Sequence, residues 1–247
     1  MTPAPPGDYP RAEPYSRAEV AGHIAVTIPN AVVVLAAITW LIRHRDLGAS
    51  AWPWLVPAAF LGTMAADFVS GILHWMFDTW FDEFRPQVRR MVVVVREHHI
   101  RPGAIHQTRW YHDAGPLSVI ALGVSLPALL PMVLPGPAGP FGYAAVLAGV
   151  VTDLCIVFML EFHKLGHRPP ARGPLGWLQR AHLICSPQHH GRHHGGKHDY
   201  NYCIVHGLAD VLLNRTRFWR TLESIISRLT GAQPRQNDRI WLDKYRQ

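Results

Sequence analysis

The sequence predicts an all-α integral membrane protein with about four transmembrane helices and a cytoplasmic, histidine-rich helical cap. Three observations predict this class: four long segments with almost no charge, basic residues concentrated in alternate connections, and sixteen histidines gathered near the predicted helix ends. Only 17% of the 247 residues are charged, below the ~25% of an average soluble domain. The three cysteines form no CxxC pair, so neither a disulfide scaffold nor a redox motif is indicated.

The four apolar segments are each about as long as the ~20 residues that a bilayer requires. The predicted spans are residues 21–42, 52–77, 116–135 and 141–162. Up to residue 160 their only acidic or basic side chains are Asp67 and Asp153. A soluble bundle of four buried helices is the alternative, but runs of this length with so few charges seldom occur in soluble folds.

The segments outside these spans complete the expected domain organisation. Residues 1–20 are rich in proline and carry mixed charges without periodicity, which predicts a disordered tail. Residues 21–247 are expected to form a single membrane domain. Its cap comprises residues 78–115 and 163–236, and residues 237–247 form a C-terminal tail.

The distribution of Lys and Arg predicts the orientation. With four crossings, the N-terminal tail, residues 78–115 and residues 161–247 share one side, and that side holds 22 of the 24 basic residues. Basic residues favour the cytoplasmic side, and on a membrane protein they favour anionic lipid over nucleic acid as a partner. Three lysines against twenty-one arginines point to a bacterial source, hence to the inner membrane.

Histidines form four groups at or just beyond the predicted cytoplasmic helix ends. Asp67, Gly71, His74 and Asp78 share one face of the second helix, since 100° per residue brings them within ~60°. His163 and His167 are spaced i,i+4. The remaining groups are the adjacent pair His98 and His99, and the set His190, His193 and His194.

This constellation predicts a metal centre. Neutral imidazole is the commonest metal ligand in proteins, and eight clustered histidines exceed one ion and suit two. Iron, copper, zinc and nickel all accept imidazole, but a membrane HxxxH plus HxxHH set points to a non-haem di-iron centre that activates oxygen. Adjacent His98 and His99 point ~100° apart on a helix, so they are expected to bind different ions.

Acidic and polar residues near the histidines have expected roles too. Asp78, one turn after His74, is a candidate ligand, and Asp67 is expected to orient His74 through its second ring nitrogen. The residues expected to lie next to the ligands are Asp67, Glu97, His189, His198 and Asn201.

Several of these motifs, taken together, resemble the lipid desaturase (Kua-type) family over residues 60–236. The resemblance implies iron ligation by the eight clustered histidines, with O2 as co-substrate and a phospholipid as substrate. His74-Trp75-x-x-Asp78 and Arg96-Glu97-His98-His99 are more similar to the plasmalogen-forming branch, which converts plasmanylethanolamine to plasmenylethanolamine. The stretch Asn201-Tyr202-Cys203-Ile204 also resembles the plant branch. The other matching stretches are His163-x-x-x-His167, His190-x-x-His193-His194 and Phe218-Trp219-Arg220.

Other activities fit the same residues. An acyl-lipid desaturase or a lipid hydroxylase would use the same cluster, and a membrane metal-binding or transport protein would also need histidines. The sequence shows no CxxCH haem attachment, flavin fingerprint or iron–sulfur spacing. We therefore expect an external electron donor, either a ferredoxin or a cytochrome b5-like protein, and no nucleic-acid partner.

Overall fold

The computed structural model describes residues 13–81, 84–86, 88–135, 138–169 and 172–235. Within these ranges the chain is helical and contains no β-strand. Short 3₁₀ helices occupy Pro102–Gln107 and Leu130–Met132. The α-helices are α1 (Arg17–Arg43), α2 (Arg45–Ser50), α3 (Trp52–Thr79), α4 (Arg89–Ile100), α5 (Trp110–Leu129), α6 (Gly139–Val157), α7 (Met159–Gly166), α8 (Gly173–Arg180), α9 (Pro187–His194), α10 (Ala209–Arg215) and α11 (Phe218–Thr230).

The described chain divides into two compact units, where the sequence predicted a single domain over residues 21–247. The apolar unit comprises residues 15–69 and 109–161, and the histidine unit comprises the described parts of residues 1–14, 70–108 and 162–247. Helices α3 and α7 each contribute residues to both units. The sequence does not indicate this division, because two of the unit boundaries fall inside continuous helices.

The apolar unit contains the helices that are long and apolar enough to cross a membrane. They are α1, α3, α5 with its 3₁₀ extension, and α6. Residues such as Val34, Ala37 and Val146 form its core, whereas Val56 and Leu61 leave 78% and 63% of their surface exposed. Large exposed apolar side chains along such helices suit a lipid environment. The prediction of a helical, multi-pass membrane protein is therefore confirmed.

A polar cluster joins three helices inside the apolar unit. Asp153 on α6 is fully buried. It accepts a hydrogen bond of 2.9 Å from the amide of Asn30 on α1 and one of 3.2 Å from the hydroxyl of Ser125 on α5. Acidic residues in membrane helices require such partners, so this predicted intramembrane acid has a structural explanation.

The ends of the chain differ from the prediction. Helix α1 begins at Arg17, because Ser16 and Glu19 form a reciprocal capping box. Residues 17–20 are therefore helical, although the sequence predicted a disordered tail over residues 1–20. Residues 1–12 and the predicted tail 237–247 lie outside the described residues.

Helix α5 begins at Trp110, six residues before the predicted span, so residues 110–115 do not belong to the cap. The predicted span began at Pro116, because the charge-free run starts there, after Asp113. Inside α5, Pro116 has no N–H for the carbonyl four residues earlier. In the structure, the freed carbonyl of His112 contacts Nδ1 of His23 on α1 instead. A neighbouring helix thus satisfies the backbone and the helix continues through the proline.

The fourth predicted span, residues 141–162, is broken. Helix α6 ends at Val157, Phe158 adopts φ −101° and ψ 5°, and α7 begins at Met159. The residues around the break are apolar, so hydropathy carries no sign of it. The break places His163 and His167 on and just after a separate short helix.

In the histidine unit, residues 201–204 pack against the end of α3. The backbone N–H of Ile204 donates to Ser70 Oγ at 3.0 Å. A Cβ at Gly71 would lie 2.6 Å from Cys203 Sγ, so only glycine permits this approach. This packing brings the backbone of Tyr202 next to His74.

Candidate metal centre

The eight predicted histidine ligands and Asp78 lie in two groups, and within each group the candidate ligand atoms are within 4.8 Å of one another. The first group consists of His98, His163, His167, His190 and His194. The second group consists of His74, Asp78, His99 and His193. Each member comes from α3, α4, α7, α9 or the residue that follows α7.

Helical spacing accounts for this distribution. Residues spaced i,i+4 lie on one helix face, and the pairs 74/78, 163/167 and 190/194 each fall within a single group. Neighbouring residues diverge by ~100°, and His98 and His99 fall into different groups, as do His193 and His194. Helices α4 and α9 therefore contribute to both groups.

The first group has the geometry of a metal coordination shell. Nε2 of His190 lies 2.8 Å from Nε2 of His163, 2.9 Å from that of His167 and 3.0 Å from that of His194. Neighbouring ligands of an octahedral ion are ~3.0 Å apart when the metal–nitrogen bond is ~2.1 Å long. Nε2 of His98 is buried and has no hydrogen-bond partner within the described ranges, as expected of an atom whose partner is a metal.

The second group combines imidazoles with a carboxylate. Nε2 of His193 lies 3.2 Å from Nε2 of His99 and 3.3 Å from Oδ2 of Asp78. Nε2 of His74 lies 3.5 Å from the same oxygen. This nitrogen and both oxygens of Asp78 are buried and have no hydrogen-bond partner among the residues that the structure describes. Three imidazoles and one carboxylate therefore fit a divalent ion such as iron.

Backbone carbonyls orient two of the histidines. Nδ1 of His74 lies 2.9 Å from the carbonyl of Tyr202, and Nδ1 of His193 lies 2.8 Å from that of Tyr200. A carbonyl only accepts, so each Nδ1 carries the proton and each Nε2 presents a lone pair to the group. Such contacts fix the orientation and tautomer of metal-binding histidines.

Burial keeps six of these imidazoles neutral. For five histidines, burial lowers the pKa well below its usual value. The charges of neighbouring imidazoles lower these pKa values further. Burial likewise lowers the pKa of His167 to about 3. Neutral imidazole is the form that binds metals. The five histidines are His98, His99, His163, His190 and His194.

These pKa shifts predict loss of stability on acidification. Below the usual histidine pKa of ~6.5 the unfolded chain binds protons that the folded cluster does not, so the free energy of unfolding decreases as the pH falls. Protons also compete with the metal for the ligands. We expect a lower melting temperature and a lower metal content at pH 5 than at pH 7.5. A melting temperature that rises on acidification would contradict this prediction.

The structure corrects the role expected of Asp67. Residues 67 and 74 are two helical turns apart, about 10.5 Å along the axis, too far for a direct hydrogen bond. Nδ1 of His74 instead contacts the carbonyl of Tyr202. Asp67 is fully buried and belongs to the apolar unit.

The other residues expected beside the ligands have varied surroundings. Glu97 is buried and pairs with Arg101, the C-cap residue that follows α4. Nε2 of His189 lies 3.0 Å from Oδ2 of Asp210. His198 stacks on His99, with ring centroids 4.0 Å apart. The amide of Asn201 donates to the carbonyl of His189 at 3.4 Å. His198 also contacts two other candidate ligands, since its ring centroid lies 5.5 Å from those of His193 and His194.

Sequence reasoning missed the residues that hold Tyr202 in place. Oδ2 of Asp210 accepts the backbone N–H of Cys203 at 2.9 Å and also contacts His189. Asp210 therefore fixes residues 201–204, whose carbonyl at Tyr202 orients His74. A backbone carbonyl is present at every position and carries no sequence signal. Asp210 lies between the matching stretches at residues 201–204 and 218–220 and belongs to neither, so no motif indicated a role for it.

A polar cavity of about 350 Å³ adjoins the second group. Asp78, a member of that group, lines it. Basic, acidic and aromatic side chains form the rest of the wall. They include Lys197, His198, Asp199, Tyr202, Arg220 and Glu223.

Four apolar helices of membrane-spanning length, together with two adjoining groups of histidines that could hold metal ions, define a class of histidine-rich, multi-pass membrane proteins. Within that class, the chain belongs to the lipid desaturase family, whose domain matches residues 63–237. The family resemblance predicted from the motifs is thereby confirmed, and the protein is related to lipid oxidoreductases.

Relatives come from bacteria, animals and plants. The chain is 35% identical to plasmanylethanolamine desaturase of Myxococcus xanthus over 92% of this chain and 79% of that protein. It is 31% identical to plasmanylethanolamine desaturase 1 of Mus musculus, over 78% and 72% of the two chains. Chloroplastic fatty acid desaturase 4 of Arabidopsis thaliana is 28% identical over 72% of this chain and 53% of that protein. No solved structure is detectably similar to this chain.

Proposed function

We propose that this protein is an O2-dependent di-iron desaturase that introduces the vinyl-ether double bond of an ether phospholipid, converting plasmanylethanolamine to plasmenylethanolamine. The observation that carries the proposal is the adjacency of the two ligand groups. Ring centroids of His98 and His99 are 4.6 Å apart, and those of His193 and His194 are 5.3 Å apart. Each pair joins one group to the other.

The ligand set fits two irons that act together. Eight imidazoles and one carboxylate supply five donors to one group and four to the other, within the coordination number of iron. Bound irons would supply, with O2 and two external electrons, an oxidant for an unactivated C–H bond, which no side chain provides. Overall, two substrate hydrogens, two electrons and two protons reduce one O2 to two waters.

The chain's own residues would orient and protect this chemistry. The carbonyls of Tyr200 and Tyr202 hold His193 and His74 in the tautomer that faces the metals. His98, His190 and His193 expose 2% or less of their surface. Such burial excludes water that would otherwise quench a reactive oxidant.

The names of the relatives support the choice of substrate. The bacterial and the murine relative are both named for desaturation of plasmanylethanolamine. The plant relatives are named as fatty acid desaturases, which makes an acyl chain the alternative substrate. In both cases the product is a lipid with one additional double bond.

The proposal also includes an electron donor and a cellular location. The basic residues outside the membrane helices suit a small acidic carrier, so we propose a ferredoxin or a cytochrome b5-like protein as donor. The same basic bias supports a cytoplasmic metal centre in a bacterial inner membrane.

The test is expression in a bacterium that lacks plasmalogens and is supplied with an alkylglycerol. Lipids extracted after growth with and without oxygen are analysed by mass spectrometry, and purified protein is analysed for iron. We expect about two irons per chain and an acid-labile vinyl ether that forms only with oxygen. A hydroxylated ether lipid would indicate a hydroxylase, and a new acyl double bond an acyl-lipid desaturase. Tight zinc binding without any new lipid would indicate a metal-binding protein.

A further inference from the structure

The cavity beside the second ligand group has an unusually charged wall. Lys197, Arg220 and Arg235 contribute positive charge, and Asp78, Asp199 and Glu223 contribute negative charge. With Asp78 assigned to a metal, the cations outnumber the remaining acids. A volume of about 350 Å³ lies within the range of small-ligand sites.

Arg220 is a half-exposed side chain of this wall that pairs with two acids. One of its terminal nitrogens, Nη1, donates to Glu223 at 2.7 Å, and the other, Nη2, pairs with Asp199. A guanidinium has five N–H donors, so these two contacts leave donors for a ligand. A guanidinium oriented in this way is well suited to phosphate oxygens.

The wall also contains His198 and Lys197. Both ring nitrogens of His198 are buried and lack a hydrogen-bond partner among the described residues. Lys197 is exposed, and its ammonium brings three more donors. The wall thus offers several donors around one space.

The position of the cavity restricts which bond of a lipid can react. Three covalent bonds of an extended chain span about 3.5 Å. Six bonds separate the phosphorus of a glycerophospholipid from the first carbon of its sn-1 chain, a reach of roughly 7 Å on the same scale. Asp78 belongs to both the cavity wall and the ligand group. A phosphate in the cavity therefore places the start of the sn-1 chain, and not its middle, near the ligands.

We propose that this cavity binds the phosphate ester of the lipid headgroup, with Lys197 and Arg220 as its cationic contacts, and thereby selects the chain carbons nearest the headgroup for oxidation. This inference rests on the proposed desaturase function. It adds a binding site and a physical reason for the position of the double bond.

The experiment compares two substrates on the iron-loaded protein. One is an alkyl-acyl-glycerophosphoethanolamine, and the other is the matching alkyl-acylglycerol without phosphate. The variants are Lys197→Gln, Lys197→Arg and the control Arg215→Gln, which removes an exposed cation of α10 outside the cavity. The measured quantity is the ratio of kcat/KM for the phospholipid to kcat/KM for the alkyl-acylglycerol.

We expect Lys197→Gln to lower this ratio about tenfold, mainly through KM, as loss of one charge-assisted hydrogen bond implies. Lys197→Arg should retain most of the preference, and Arg215→Gln should leave it unchanged. Soluble glycerophosphoethanolamine should inhibit the wild type competitively and the Lys197→Gln variant more weakly. An unchanged ratio in Lys197→Gln with normal iron content would overturn the proposal while leaving the desaturase function intact.

If the wild type desaturates neither lipid, the proposed function fails, but the cavity remains testable. Native mass spectrometry then measures binding of the phospholipid and of the alkyl-acylglycerol to the same variants. Weaker phospholipid binding in Lys197→Gln alone supports the headgroup site. Equal binding in all variants contradicts it.

Discussion

Replacing His190 with alanine is expected to abolish desaturation and to reduce the iron content from about two ions per chain to about one. His190 is fully buried, and its Nε2 lies within 3.0 Å of the Nε2 atoms of three other histidines. Mutation of a residue that merely hydrogen-bonds to a metal ligand already weakens metal binding or activity about 10–100-fold. Loss of this central ligand should therefore reduce product formation by at least about 100-fold.

Metal analysis and lipid mass spectrometry on the same preparation measure both effects. His44→Ala is the matched control, because His44 is exposed and belongs to neither ligand group. This control should retain both irons and full product formation. Full activity in a well-inserted His190→Ala variant would contradict the assignment of the first group.

Replacing Asp78 with asparagine is expected to remove the other iron and to reduce activity to a similar extent. The side chains have nearly the same shape, so the change removes charge without creating a cavity. Both oxygens of Asp78 are buried without a hydrogen-bond partner in the described part of the chain, and a cation compensates a carboxylate in that setting. A neutral amide binds a divalent metal less strongly, and its N–H groups would face the imidazole nitrogens.

The Asp78→Asn variant is compared with Asp46→Asn, which changes an exposed acid of α2. We expect about one iron per chain in Asp78→Asn and about two in Asp46→Asn. Combining Asp78→Asn with His190→Ala should leave no bound iron. Two irons retained by Asp78→Asn would show that this carboxylate is not a ligand and would leave three imidazoles in the second group.

The membrane class was predictable because hydropathy depends on residues that are close in sequence. Charge-free runs as long as a bilayer is thick identify the long helices without knowledge of their packing. The errors occurred where a neighbouring element intervenes. The carbonyl of His112 contacts His23 on another helix, so α5 continues through Pro116. The break at Phe158 has no signal in the local sequence pattern.

The candidate ligand set was predictable for the same reason. His74 and Asp78, or His163 and His167, share a helix face because of their spacing alone. The divergence of His98 and His99 follows from helical geometry, and the structure places them in different groups. That these side chains bind iron stays a prediction, which the metal analyses above test.

The sequence by itself determined the class of fold, the family and the residues that are candidates for the metal centre, because periodicity, hydropathy and residue chemistry are properties of short stretches. Only the tertiary structure decided which histidines belong together, that the carbonyl of Tyr202 and not Asp67 orients His74, and that Lys197 and Arg220 share a cavity with Asp78. These relations join residues that are distant along the chain. They depend on how the helices pack, which the spacing of residues does not encode.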